Sequence, residues 1–146
     1  MTTSDSDEKF ILGVKLFQQE LYWDAIEQFK VLMSSNDHNL LDDVSLNLGI
    51  TYMKLGLLDE AKPHFEAVFH KRVGDDQYRT DDQITGRPSD RAALGLFRIA
   101  NAQGERDEAH FFLKELLSRP DAGIDVNGEF TSFFSIAEDE LGTELS

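Results

Sequence analysis

The sequence predicts an all-α protein, a short α-solenoid of three helical hairpins closed by a C-terminal capping helix. Three observations carry that prediction. Small and large residues recur at a 36-residue interval: Leu12-Gly13, Ala25 and Phe29 return as Leu48-Gly49, Ala61 and Phe65. Apolar residues between them fall at helical spacing, and no run alternates with the period of two that marks a strand. The chain ends in an amphipathic stripe, the element a stack of repeats needs to seal its last apolar face. At 146 residues and 40% hydrophobic, one domain spanning 1–146 with a real core is expected.

The elements follow in order. Phe10, Val14, Phe17 and Leu21 stripe a first helix, and Ile26, Phe29 and Met33 a second. Leu46, Ile50, Met53 and Leu57 repeat the first pattern, and Ala61, Phe65, Val68 and Phe69 the second. Pro63 falls about the first turn of its helix, where a missing N–H costs little. In a third copy, Gly104 and Ala109 keep the spacing of Gly56 and Ala61, and Leu113 stands in the slot of Phe65. Leu96 keeps the leucine there, but Phe97 replaces the glycine. Pro88-Ser89-Asp90 opens a helix running to about Gln103, with Ser89 as the expected N-cap. Pro120 stops the next helix after Leu117-Ser118. Residues 76–89 lengthen the link between copies two and three and read as a solvated surface loop, with a functional loop as the alternative. Phe130, Phe133, Phe134, Ala137 and Leu141 form one stripe, so a capping helix is expected over about 127–141.

This pattern resembles the tetratricopeptide repeat, a 34-residue helix-turn-helix unit written W-x2-L-G-x2-Y…A-x3-F…P. On that alignment the copies run 6–39, 42–75 and 90–123. The tryptophan slot holds Lys9, Ser45 and Ala93, and the closing proline is missing from copy two. Gly13, Gly49, Ala25, Ala61 and Ala109 are small where paired helices must approach, and Phe29, Phe65 and Leu113 fill the space beside them. The resemblance implies a right-handed superhelix whose first helices line a concave groove.

Charge narrows the function classes. The 28 acidic and 14 basic side chains leave a net charge of −14, which repels phosphate backbones, so nucleic acid is not an expected partner. With no cysteine there is no disulfide framework or thiolate-metal site. The acidic N-terminus lacks a signal peptide's basic start, and no apolar run approaches the roughly 18 residues that span a bilayer. A cytoplasmic location without membrane insertion is therefore expected. His38, His64, His70 and His110 are scattered, the glycines stand singly, and acidic pairs such as Asp42-Asp43 lack a calcium-loop frame. The chain is expected to be neither an enzyme nor the holder of a metal or cofactor.

The groove slots that the resemblance implies fall on Phe10, Val14, Phe17 and Gln18 in copy one, and on Leu46, Asn47, Ile50, Met53 and Lys54 in copy two. Copy three supplies Arg91, Leu94, Arg98 and Asn101. Apolar residues on this floor would give affinity, and Arg91 and Arg98 would fix the polarity of a bound segment. The same apolar stripe also reads as ordinary core, with Leu12, Leu16 and Leu48 as further packing residues. Of the carboxylate clamp that holds acidic chaperone C-termini, the matching positions are Phe10, Val14, Asn47, Arg91 and Gly95, and only Asn47 and Arg91 fit. Trp23 stands at a helix start where tryptophan marks either an interface or packing under the N-terminal arm. Three functions follow: an adaptor capturing an apolar peptide or helix of another protein, an acidic secretion chaperone for a hydrophobic client, and a homo-oligomer built through the groove.

Overall fold

The structure is a computed structural model that describes residues 5–35, 40–71, 76–81 and 83–145. The described residues are mostly helical, with seven α-helices and four short strands. Read from sequence as one domain, the chain forms two compact units, Met1–Asp75 and Asp76–Ser146.

In the first unit, α1 (Asp5–Gln18) pairs with α2 (Tyr22–Met33), and α3 (Leu41–Lys54) with α4 (Leu58–Glu66). A π-helical turn, Ala67–Lys71, extends α4. The pairs close on their glycines. A Cβ on Gly13 would lie 2.6 Å from the Phe29 ring, and one on Gly49 would lie 2.7 Å from the Phe65 ring. Real Cβ atoms essentially never come so close, so any larger residue would force the buried rings to shift where the helices pack. Ala25, Phe29, Ala61 and Phe65 are buried beside these contacts, together with Ile26, Leu32, Val44, Leu48, Tyr52 and Val68. Each large side chain contributes roughly 1.5–3 kcal/mol by leaving water. Pro63 sits in the second turn of α4 rather than the first, because the helix starts at Leu58.

The turns are built alike. Leu21 N–H donates to Leu16 O at 2.9 Å, and Leu57 N–H donates to Tyr52 O at 2.9 Å. Both bonds wrap a left-handed residue, Glu20 at φ 63° and Gly56 at φ 77°.

The second unit departs from the all-α expectation. Its helices are α5 (Pro88–Ala102), α6 (Arg106–Leu117) and α7 (Phe133–Leu145). Its strands are β1 (Arg79–Asp81), β2 (Ile84–Gly86), β3 (Gly123–Val126) and β4 (Glu129–Ser132). They form one antiparallel sheet in the order β1-β2-β3-β4, with Thr80 opposite Thr85, Ile84 opposite Ile124 and Asp125 opposite Phe130. The segment expected as a loop over 76–89 is thus a β-hairpin followed by the first turn of α5. The α5–α6 pair repeats the first unit's turn, with Glu105 N–H donating to Ala100 O at 2.9 Å and Gly104 at φ 74°.

The last helix, expected as a cap over about 127–141, runs Phe133–Leu145 and so starts six residues later than expected. Asn127 and Gly128, at φ 55° and 80°, make a two-residue hairpin turn between Val126 and Glu129, which a helix cannot pass through. Ser132 then caps α7, its Oγ accepting the Ser135 N–H at 3.0 Å. Phe133, Ala137 and Leu141 are buried as the stripe required, whereas Phe130 lies exposed on β4.

Candidate functional site

Ser89 does not cap α5; it is the helix's second residue, and Arg87 stands at the cap position. The Asp76 carboxylate instead accepts the Ser89 N–H at 3.0 Å and the Ser89 Oγ–H at 2.9 Å. Asp90, almost wholly buried, accepts the Arg87 N–H at 2.8 Å through Oδ2 and Arg119 Nη1 at 2.7 Å through Oδ1. Arg119 Nη1 also donates to Ser89 Oγ at 3.1 Å. This network ties the start of α5 to the segment after α6 and satisfies each buried group. The carboxylates are occupied by hydrogen-bond donors, so the network anchors the start of α5.

The groove residues divide between the units. In the first, Phe10, Val14 and Phe17 are half-buried on α1, where Phe10 tilts against Phe29 at 5.9 Å and Phe17 meets Tyr22 edge-on at 5.4 Å. Gln18 and Lys54 are exposed and Met53 is half-buried. Ile50 is 41% exposed on a helix with eight buried residues. Leu46, at 2% exposure, is a core residue rather than part of a floor. Asn47 is half-buried, and its Nδ2 donates to Asp43 O at 2.8 Å, one turn back on its own helix.

In the second unit Leu94, at 7% exposure, is also core, because 11 of the 15 residues of α5 are buried. Arg91 and Asn101 are half-buried, and Gly95 is buried. Arg98 does not project as a free cation. Its Nε and Nη2 donate to Glu140 Oε1 of α7 at 3.0 and 2.9 Å, so the polarity-setting role expected for it is taken by the chain's own carboxylate. Leu12, read as packing, is exposed on α1 together with Ile11. Trp23 is exposed at the start of α2.

The histidines stand apart. His38 lies outside the described residues, His70 meets Phe69 edge-on at 4.9 Å, and His110 is exposed on α6. His64 stacks on Tyr52 at 5.6 Å with the rings 8° from parallel. Burial, and then the charge of Lys30, hold its pKa below the usual 6.5, so this imidazole is kept neutral as a flat packing surface. Among the described residues no three His, Asp or Glu side chains gather to hold a metal ion. Nor is any described helix long and apolar enough to cross a membrane.

Sequence reasoning missed one surface. His110, Phe111, Leu113, Lys114 and Leu117 of α6 and Phe134 of α7 line a groove of about 520 Å³. Its signal was the pair of apolar residues, Phe111 and Leu117, left over after Ala109, Phe112 and Leu116 had filled the buried face of α6. Compared with protein-family models, with curated proteins and with solved structures, the chain matches none.

Proposed function

We propose that this chain is a non-enzymatic protein-interaction module of the tetratricopeptide type, and that the face shared by the first helices α1 and α3 captures an apolar segment of another protein. The observation that carries the reading is Ile50. It is 41% exposed although its helix is among the most buried of the first unit. Half-buried Val14 and Phe17 on α1 and Met53 on α3 extend the apolar surface of these helices. Apolar area of this kind supplies affinity at about 25 cal/mol per Å² before association costs. The three turns of matching geometry, at Glu20, Gly56 and Gly104, support the repeat itself.

The test is co-purification from the native cell with mass spectrometry of bound protein, comparing the wild-type chain with Ile50→Glu alone and with Phe17→Glu added. Ile50 is exposed enough that its substitution leaves the helical circular dichroism spectrum intact. The expected result is loss of the same partner from both variants. A partner retained by the folded Ile50→Glu protein overturns the reading.

A further inference from the structure

The groove between α6 and α7 is open at a position that a following helix covers in the first hairpin. Leu117 occupies the register position that Met33 holds in the first hairpin. There the following helix covers it: Met33 is half-buried, and the buried Ser45 of α3 donates its Oγ–H to Met33 Sδ at 3.6 Å. In the third hairpin the same position is open. Leu117 is 56% exposed and Phe111 is 48% exposed, beside half-buried Leu113 and Phe134. Phe111, Lys114 and Leu117 recur at three-residue steps along α6, the ridge that a second helix meshes with.

The charge in the lining selects the occupant. This protein carries twice as many acidic as basic side chains, yet the groove lining contains Lys114 and His110 and, among the described residues, no carboxylate. We propose that the α6–α7 groove docks an amphipathic helix of another protein whose apolar stripe is flanked by Asp or Glu. Lys114 pairs with a flanking carboxylate, while Phe111, Leu117 and Phe134 take the stripe. A second copy of this chain is the competing occupant, and its oligomeric state separates the two. The proposal is independent of the α1–α3 face.

Two synthetic helical peptides test it on the full chain by fluorescence anisotropy. Both carry Leu at i, i+3, i+4 and i+7 in an alanine background, one with flanking Glu and the other with flanking Lys. The acidic peptide is expected to bind at least about tenfold more tightly, with the gap narrowing as salt is raised. Leu117→Asp, at an exposed position, weakens that binding by about thirtyfold. Lys114→Glu reverses the preference in favour of the basic peptide. Equal affinities, no binding of the acidic peptide, or binding unchanged by Leu117→Asp overturns the proposal. A dimer in sedimentation that Leu117→Asp abolishes also overturns it, in favour of a second copy.

Discussion

In the first two hairpins a glycine of the first helix lies under a phenylalanine of the second, Gly13 under Phe29 and Gly49 under Phe65. In the third, the glycine position is Phe97, wholly buried, and the phenylalanine position is Leu113, only half-buried. The bulk has changed helices. In this hairpin the fully buried ring is carried by α5, at Phe97. On α6 the large buried side chains are Phe112, one residue before that position, and Leu116. The turns did not follow this exchange: in all three hairpins the residue after the left-handed one donates to the carbonyl five positions back at 2.9 Å. The chain leading into the second helix also has nearly the same backbone angles at Leu21, Leu57 and Glu105. Turn geometry is thus set by local hydrogen bonding, while core volume is negotiable provided the total is conserved.

That lesson is tested most severely by converting the third hairpin to the first kind. Phe97→Gly alone removes a buried ring and adds a flexible residue mid-helix, at a cost of about 4–6 kcal/mol. Adding Leu113→Phe returns a ring to the vacated space and should recover about 2 kcal/mol or more in denaturant unfolding. If the double variant is no more stable than Phe97→Gly, the positions are not complementary and the comparison fails.

A second contrast lies in what fastens each unit. The first hairpins close on apolar contacts, whereas α5 is pinned by the Asp76–Ser89–Asp90–Arg119 network. Arg119→Ala strands the carboxylate of Asp90 in a buried site with the Arg87 N–H as its remaining donor among those described. The expected loss is about 3 kcal/mol. Arg98→Ala breaks an ion pair exposed on both sides and should cost less than about 1 kcal/mol. Equal urea midpoints for the two variants would show the buried network to be no stronger than a surface pair.

The hairpins were legible because close helix crossings demand small residues at fixed positions, and the 36-residue return of Gly13, Ala25 and Phe29 records that demand. The sheet was not, because strands of three or four residues are too short to show alternation. One signal was available: Asn127-Gly128 is the strongest two-residue hairpin signature, but it was absorbed into the apolar stripe that begins at Phe130. The candidate site was less legible than the fold. A stripe on a first helix does not say which residues a neighbouring helix covers, so core Leu46 and exposed Ile50 looked alike. Arg98 read as free because Glu140, its partner, lies 42 residues away and meets it only once α7 has folded back on α5.

The turns themselves give the smallest effect. Glu20, Gly56 and Gly104 occupy one position of the three hairpins, and all three are left-handed, at φ 63°, 77° and 74°. Glycine adopts that backbone freely, but a residue with a Cβ pays roughly 1 kcal/mol there. Space is not the constraint, since a Cβ built on Gly56 or Gly104 would meet nothing within 4 Å. The penalty at Glu20 is therefore conformational, and it is offset by the Leu21–Leu16 hydrogen bond that the turn must make. Glu20→Gly should raise the stability of the chain by about 0.5–1 kcal/mol, while Gly56→Ala and Gly104→Ala each lower it by a similar amount. A glycine at 20 that stabilises nothing in thermal or urea unfolding would mean that the Glu20 side chain makes a compensating interaction. The three turns would then be alike in shape but not in energetic cause.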